Sequence, residues 1–472
     1  MAGIIAYGAY VPYFRLQRAA IAEALGVPAA PGERAVAAYD EDATSMGVEA
    51  ARIALRGLDP SVELSSACFA TSAPPYLDKT NCTAIHAALD LADSAAAYDM
   101  VGSVRSGAGA LRAGLESGPP TLVVLSDVRS GRAGGADESG SGDAAAAFVC
   151  GEGTEVAPVL AELICWASAT DEFLDRWREP GTDHSEGWEE RFAEHAYAPL
   201  GEQAFTDALK EAGVGLDAVD RLMVTGPQPR AVRQFLKRSG AKPEAIVDDL
   251  SATVGCSGTA HAGLLLASVL DVAEPDELVA VVVLADGADV ALFRVTEAVL
   301  GRRATPTVAD QIDSGCNDLS YASFLTWRGA LVREPVRRPD PVRPSAPPAL
   351  RTEDWKFAFI GSRCTECGAR NLPPARVCVN CRAIDAMEEE PLADVDATVR
   401  TFTLDRLAPS LNPPVVAAVL DFDGGGRYQC ELTDVDAGSV AIGDRVEMTF
   451  RRVSTVEGVH NYFWKARPKR QD

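Results

Sequence analysis

Four cysteines carry the strongest chemical signal in the chain. Cys364-Thr-Glu-Cys367 and Cys378-Val-Asn-Cys381 form two CxxC pairs with ten residues between them. Each pair presents two thiolates to one ion, and four thiolates complete the closed tetrahedral shell of structural Zn²⁺. Such a shell leaves no position for a reacting water, so the expected role is to hold a fold; redox dithiols or an iron site are the other uses of this spacing. Cys256 stands in a Gly-flanked turn, VGCSG, that opens a helix. That setting lowers a thiol pKa and suits a nucleophile, with packing as a small residue the alternative. His261, on the first turns of the same helix, can serve as acid or base or sit buried and satisfied. In the loop PPYLDKTN, Tyr76 and Asp78 can pass a proton in aldol or retro-aldol chemistry without a covalent step. Turn formation and pocket lining are their alternatives.

These residues need a scaffold, and the first 300 residues or so supply an alternating one. Strands are expected at Ala67 to Thr71, Thr121 to Ser126, Ala145 to Val149, Arg221 to Thr225, Leu278 to Ala285 and Val290 to Val295. Helices are expected at Ala43 to Leu55, Cys82 to Leu89, Gly107 to Leu115, Phe205 to Ala212 and Ala260 to Leu270. This alternation reads as α/β layering. Two blocks look alike: GSVRSGAGALRAGL, TLVVLSDV, SGDAAAAFVCG, and later GCSGTAHAGLLLASVL, ELVAVVVLADG, ADVALFRV. Each is a Gly-rich turn into a small-residue helix, a hydrophobic strand and a second strand, which suggests two copies of one βα unit. Asp143 and Asp286 mark equivalent turns of the two copies. The stretch DEFLDRWREPG (Asp171 to Gly181) with WEERF (Trp188 to Phe192) carries Trp and Arg at helical spacing, which fits an interface or internal packing.

The texture changes near Trp327. VREPVRRPDPVRPSAPPALR reads as a semi-extended linker, since proline removes a backbone donor and resists helix and central strand. Its Arg333, Arg337, Arg338 and Arg343 can meet the phosphates of a ligand or remain solvated. Beyond the cysteine cluster, short alternating strands between Gly, Asp and Pro turns indicate a small barrel or sandwich.

The chain has 472 residues, 47% of them hydrophobic, and a formal charge of −24. The length suggests roughly three domains and the apolar fraction suits globular cores, which excludes disorder and small disulfide scaffolds. An acidic chain is a poor general binder of nucleic acid or anionic membrane, because phosphate contacts need concentrated basic surface. No transmembrane run or signal peptide is evident, so a cytoplasmic location is expected. In that reducing setting the eleven cysteines read as metal ligands, packed residues or nucleophiles rather than disulfides.

CTECGARNLPPARVCVNCRA with its strand-rich tail resembles the acyl-CoA-associated family that joins a zinc ribbon to an OB-fold, over about Trp355 to Arg467. Members of that family work beside thiolase-superfamily enzymes, which implies thioester chemistry. The stretches FATSAPPYLDKTNCTAIHAAL, YDMVGSVRSGAGAL, SGDAAAAFVCG and VGCSGTAHAGLLLASVL resemble the 3-hydroxy-3-methylglutaryl-CoA synthase and ketoacyl-synthase branch of the thiolase superfamily. The implied architecture is a duplicated five-layer αβαβα thiolase fold (1–325), a linker (326–354), a zinc ribbon (355–387) and an all-β OB-fold barrel (388–472).

The same resemblance implies a nucleophilic Cys, a Glu base and a His. Counting from Asp99 puts Val104 at the cysteine position, the turn Thr71-Ser72-Ala73-Pro74 puts Ser72 at the glutamate position, and Val224 to Gln228 puts Gly226 near the histidine position; the related Asn becomes Cys256. No Cys lies between Cys82 and Cys150 and no His between His195 and His261, so a slip of register restores neither. The expectation is an acyl-CoA-binding, synthase-like protein that forms or breaks carbon–carbon bonds with a thiolase-type partner, itself a homodimer. A self-sufficient lyase or acyltransferase using Tyr76, Asp78, Cys256 or His261, and a non-catalytic adaptor, are the alternatives.

Overall fold

Ala- and Val-rich strands with both faces buried need helices on each side, and that requirement shapes the first 320 residues. A computed structural model describes residues 2–334 and 341–470; Arg337 and Arg338 lie outside the described residues. The chain divides into two units, one of Met1–Ala37, Glu49–Thr83 and Ala92–Tyr321, the other of Ala38–Val48, Ala84–Leu91 and Ala322–Asp472.

In the first unit, β1 (Ala2–Tyr10) is followed by a small hairpin of β2 (Phe14–Gln17) and β3 (Glu33–Val36). Then come β4 (Ser66–Thr71), β5 (Ala96–Val101), β6 (Thr121–Asp127), β7 (Ala144–Glu152) and β8 (Ala161–Ala169). The short pair β9 (Arg176–Trp177) and β10 (Glu186–Gly187) precedes β11 (Arg221–Thr225), β12 (Leu278–Leu284) and β13 (Ala288–Val295). Nine of these strands form one sheet in the order β11-β12-β13-β8-β1-β7-β6-β4-β5.

The expected duplication is visible in strand direction. β4 runs parallel to β6, β6 antiparallel to β7 and β7 antiparallel to β1; β11, β12, β13 and β8 repeat that pattern in order. Even β5 has an echo, since Leu222 of β11 makes a parallel bridge to Ile246. Helices 105–116 and 261–270 pack between the halves, helices 190–212 and 229–239 cover the outside of the second half, and residues 50–54 press on Gly8 of β1. Only two residue pairs, Gly3–Glu162 and Ile4–Ala161, join the halves at β1–β8, and the sheet folds there around the two central helices, which makes the layers αβαβα. The small residues of the two central helices matter: a Cβ on Gly107 would stand 2.5 Å from the carbonyl oxygen of Thr259.

The segment expected at helical spacing is instead the β9–β10 ribbon, and helix begins only at Glu190. Pro180 and Gly181, the latter at φ +88°, turn the chain there.

The second unit holds a ribbon and a barrel. β14 (Ile360–Cys364), β15 (Arg370–Asn371) and β16 (Met387–Pro391) form a three-stranded sheet. β16 pairs with β14 from Met387 to Pro391. β17 (Ala397–Asp405), β18 (Val415–Phe422), β19 (Arg427–Leu432), β20 (Arg445–Val456) and β21 (Val459–Pro468) close a five-stranded barrel. The expected extended linker is partly helical, at Ala346–Arg351. Its prolines occupy the first turn, where no backbone donor is required.

A buried ion cluster ties the second unit together. Arg451, fully buried, meets Glu41 at 2.6 Å, Asp434 at 2.6 Å and Asp40 at 3.5 Å, while Lys465 meets Asp40 at 2.9 Å. Burial opposes the charge of Asp40, but Lys465 and Arg451 hold its carboxyl below the ordinary value.

Candidate active-site cleft and zinc site

The ends of β4, β6 and β11 and the turn after β12 converge on one edge of the sheet, where open α/β sheets place their ligands. Ser72 follows β4, Arg129 follows β6, Val104 caps helix 105–116 and Pro227 follows β11. These line a shallow, solvent-open cleft, together with Gly102, Ser103, Arg176, Trp177, Arg178, Ser185, Tyr197 and Asp286.

Asp127, at the end of β6 and fully buried, organises the floor. It accepts from Thr71 Oγ1 (2.8 Å), Ser72 N (2.7 Å), Ser72 Oγ (2.8 Å) and Thr259 N (2.7 Å). Gly258, at φ +57°, lets the second Gly-rich turn approach this carboxylate, since a Cβ there would lie 2.3 Å from Asp127 Oδ2. Arg129 Nη1 donates to Ser72 Oγ at 2.8 Å, and Arg178 Nη2 donates to the Ser72 carbonyl. Arg176 is held by a bidentate pair with Asp137 at 2.8 and 2.7 Å. Tyr197 accepts from Asp286 N at 3.2 Å, and burial pushes the Asp286 carboxyl above its ordinary value despite Arg105.

Ser72 and Val104, two of the three positions singled out in sequence, thus share one cleft with the neighbour of the third. Gly226 itself is packed so that a Cβ would stand 2.3 Å from the Leu284 carbonyl oxygen. No side chain fits there unless that backbone moves.

The other candidates lie apart from the lining. Cys256 Sγ faces the Gly226 carbonyl at 3.7 Å, and burial pushes its thiol up, opposite to the expected lowering. A 3₁₀ turn, Gly258–Ala260, separates it from the helix that begins at His261. His261 is buried, with Nδ1 3.2 Å from Ser257 Oγ and Nε2 3.0 Å from the Asp249 carbonyl; burial lowers its pKa to about 4. Tyr76 is half-buried and Asp78 exposed; the Tyr76 backbone N–H donates to Asn81, which also fixes the loop to Asp99. Sequence reasoning missed Arg129, Arg176, Arg178 and Tyr197 as lining. Arg-Trp-Arg at 176–178, rare cationic density in an acidic chain, was the available signal.

In the second unit, the sulfurs of Cys364, Cys367, Cys378 and Cys381 lie within 4.8 Å of one another, with two S···S distances of 3.6 Å. A tetrahedral ion with Zn–S bonds of about 2.3 Å spaces its ligands about 3.8 Å apart, so the four thiols fit zinc. The Cys381 backbone N–H stabilises the Cys378 thiolate, lowering its pKa to about 6. Asn380 adds donors to Cys378 (3.4 Å) and Cys367 (3.6 Å). With no open position, zinc here supplies a structural crosslink.

Among the described residues no helix is long and apolar enough to cross a membrane.

Comparison with known proteins agrees with these parts. Residues 357–385 match the family model described as ChsH2, rubredoxin-like zinc ribbon domain, and residues 389–451 match ChsH2, C-terminal OB-fold domain. A hydroxymethylglutaryl-CoA synthase of Aeropyrum pernix is 30% identical over 347 residues, spanning 70% of this chain and 95% of that protein. The Archaeoglobus fulgidus synthase is 29% identical over 353 residues, spanning 70% and 98%. Among solved structures, the HMG synthase of the curacin biosynthetic pathway, in complex with acetyl donor-ACP, has a TM-score of 0.60 at 19% identity, covering 69% of this chain and 88% of that one. An HMG-CoA synthase complexed with CoA has a TM-score of 0.58 at 16% identity, covering 68% and 89%. The layered sheet, the cleft at its edge and these likenesses together establish that the chain belongs to the hydroxymethylglutaryl-CoA synthase family of the thiolase superfamily, followed in sequence by a ChsH2-type zinc ribbon and OB-fold.

Proposed function

We propose that this protein binds an acyl-CoA thioester in the Ser72–Val104 cleft and takes part in forming or breaking a carbon–carbon bond together with a thiolase-type partner. The observation that carries this reading is the lining itself. Among the described residues it contains neither cysteine nor histidine, and a valine holds the N-cap position where the family resemblance calls for the nucleophile. Binding of CoA, named for a solved structure of this fold, supports a thioester as the ligand. A branched hydrocarbon cannot form a thioester link, so the covalent step falls to a second protein.

The protein works as a homodimer in the cytoplasm in this reading. β5 ends the nine-stranded sheet, and its exposed Tyr98 and Val101 leave an edge open to pairing with a second copy. Among the described residues no cysteine is in a disulfide, which suits a reducing compartment.

The test is purification of the tagged chain from its native host, followed by turnover assays. A stoichiometric thiolase-type companion, with acyl-CoA turnover only when both are present, is expected. Turnover by the isolated chain favours the self-sufficient lyase; binding of no acyl-CoA leaves the adaptor.

A further inference from the structure

Among the described residues Asp286 is the single carboxylate in the lining of the cleft. It stands in the turn between β12 and β13 at φ +47°, a left-handed conformation that aspartate tolerates, and Gly287 follows at φ +128°. Its backbone is held on both sides. The N–H donates to Tyr197 Oη at 3.2 Å, and the carbonyl oxygen accepts from Arg105 Nη1 at 2.6 Å. The other two nitrogens of Arg105 are turned elsewhere, Nε to Asp289 at 2.8 Å and Nη2 to Thr170 at 2.8 Å.

The side chain is not engaged in the same way. Among the described residues neither carboxylate oxygen of Asp286 has a hydrogen-bond or ion-pair partner. Asp127, by contrast, accepts four hydrogen bonds, and the buried Asp175 takes the Gln228 amide at 2.9 Å. Partial burial raises the Asp286 carboxyl above its ordinary value; Arg105 opposes this, and the negative charges of Asp175 and Glu172 add to it. An exposed carboxylate on a fixed turn, unpaired and made more basic, has the attributes of a general base rather than of a structural link.

Its strength sets what it deprotonates. A carboxylate remains a weak base, so the methyl group of an acetyl thioester lies beyond it, whereas a carbon flanked by two carbonyls is far more acidic because both oxygens share the charge. We propose that Asp286 takes a proton from C2 of a β-ketoacyl-CoA. This rests on the reading of the cleft as an acyl-CoA site. The C2–H bond breaks, its electron pair spreads over the thioester and keto oxygens as an enolate, and the proton passes to a carboxylate oxygen of Asp286. Arg129 and Arg178, in the same lining, supply positive charge for that enolate. The enolate is what a carbon–carbon bond-forming partner consumes, and its reprotonation by Asp286 is the matching step in cleavage.

Deuterium exchange reads this step without a partner. Acetoacetyl-CoA is incubated with the full chain in heavy water at mildly acid pH, where uncatalysed exchange is slow, and loss of the C2 proton signal is followed by NMR against a protein-free blank. Exchange about tenfold or more above the blank is expected, rising with pH as one group loses its proton. Asp286→Asn should return exchange to the blank, while calorimetry shows acetoacetyl-CoA bound within about threefold of the original affinity. Asparagine tolerates the same turn, and thermal melts confirm folding. Asp286→Glu, which keeps a carboxylate at a displaced position, should retain part of the rate. Exchange at the blank rate with acetoacetyl-CoA bound overturns the assignment and leaves the acyl-CoA reading standing, as does exchange undiminished in Asp286→Asn. No binding of acetoacetyl-CoA overturns both.

Discussion

Ser72 Oγ lies 2.8 Å from Arg129 Nη1 and donates its own proton to Asp127 at 2.8 Å. The hydroxyl is thereby fixed between a guanidinium and a carboxylate, and Asp127 becomes the point on which the end of β4 and the second Gly-rich turn depend. Asp127→Ala leaves two backbone N–H groups and two hydroxyls without their acceptor in a dry place. The expected loss of stability is about 3–5 kcal/mol, as when one partner of a buried charged network is removed. Asp127→Asn keeps one carbonyl acceptor and should lose less. Urea denaturation compares the three proteins, and a loss below about 1 kcal/mol for the alanine variant would contradict this role.

The elements of the fold were largely legible because periodicity reports burial. β11 lies at Arg221–Thr225 as expected, and the two similar blocks became the two halves of the sheet. Places where proline misled the reading were positional. In Ala346–Arg351 it sits in a first turn that tolerates it, while Pro180 and Gly181 turn the chain between β9 and β10, where spacing alone suggested a helix. The cleft was half legible. Ser72 and Val104 could be found by counting from motifs, but Arg129 and Arg178 meet only through the packing of β6 against a distant loop, which no local pattern encodes.

Zinc removal should act on one unit. The four-thiolate geometry predicts one zinc per chain by elemental analysis, none after Cys378→Ser together with Cys381→Ser, and release by chelator. Hydrogen exchange should then quicken across β14, β15 and β16 while β6, β7 and β12 keep their protection. Unchanged exchange in the ribbon after zinc loss would show that the metal does not hold it.

Two buried groups set opposing pH dependences. His261 has a folded pKa of about 4 against an ordinary 6.5, so the unfolded chain takes the proton first. Its stability contribution is complete above 6.5 and falls away toward pH 4, by on the order of 3 kcal/mol. Asp271, which accepts from Tyr7 Oη at 2.9 Å and Val308 N at 2.8 Å, is raised by burial to about 6 from 3.8. Here the folded chain holds the proton longer, so stability declines as pH rises from about 4 to 6, again by on the order of 3 kcal/mol. Asp271→Asn should therefore steepen acid destabilisation between pH 6.5 and 4, and His261→Asn should flatten or reverse it. Denaturation curves at pH 4.5, 5.5 and 7 check both signs; parallel behaviour of the two variants would refute the assignment.

Val104→Cys asks directly what the cleft does to a thiol. The new side chain would cap helix 105–116, in a cleft that Arg129 and Arg178 also line. The helix dipole and both cations favour thiolate, so its pKa should fall below the ordinary value of about 8.5. Alkylation by iodoacetamide, followed by mass spectrometry of the peptide that contains position 104, should inflect below that pH and slow in the presence of a bound acyl-CoA. Condensation of acetyl-CoA with acetoacetyl-CoA should still be absent, because Ser72 offers no carboxylate and the Leu284 backbone leaves no room for an imidazole at 226. If this one substitution conferred synthase activity, the base would have to reside elsewhere in the cleft, with Asp286 the first place to look.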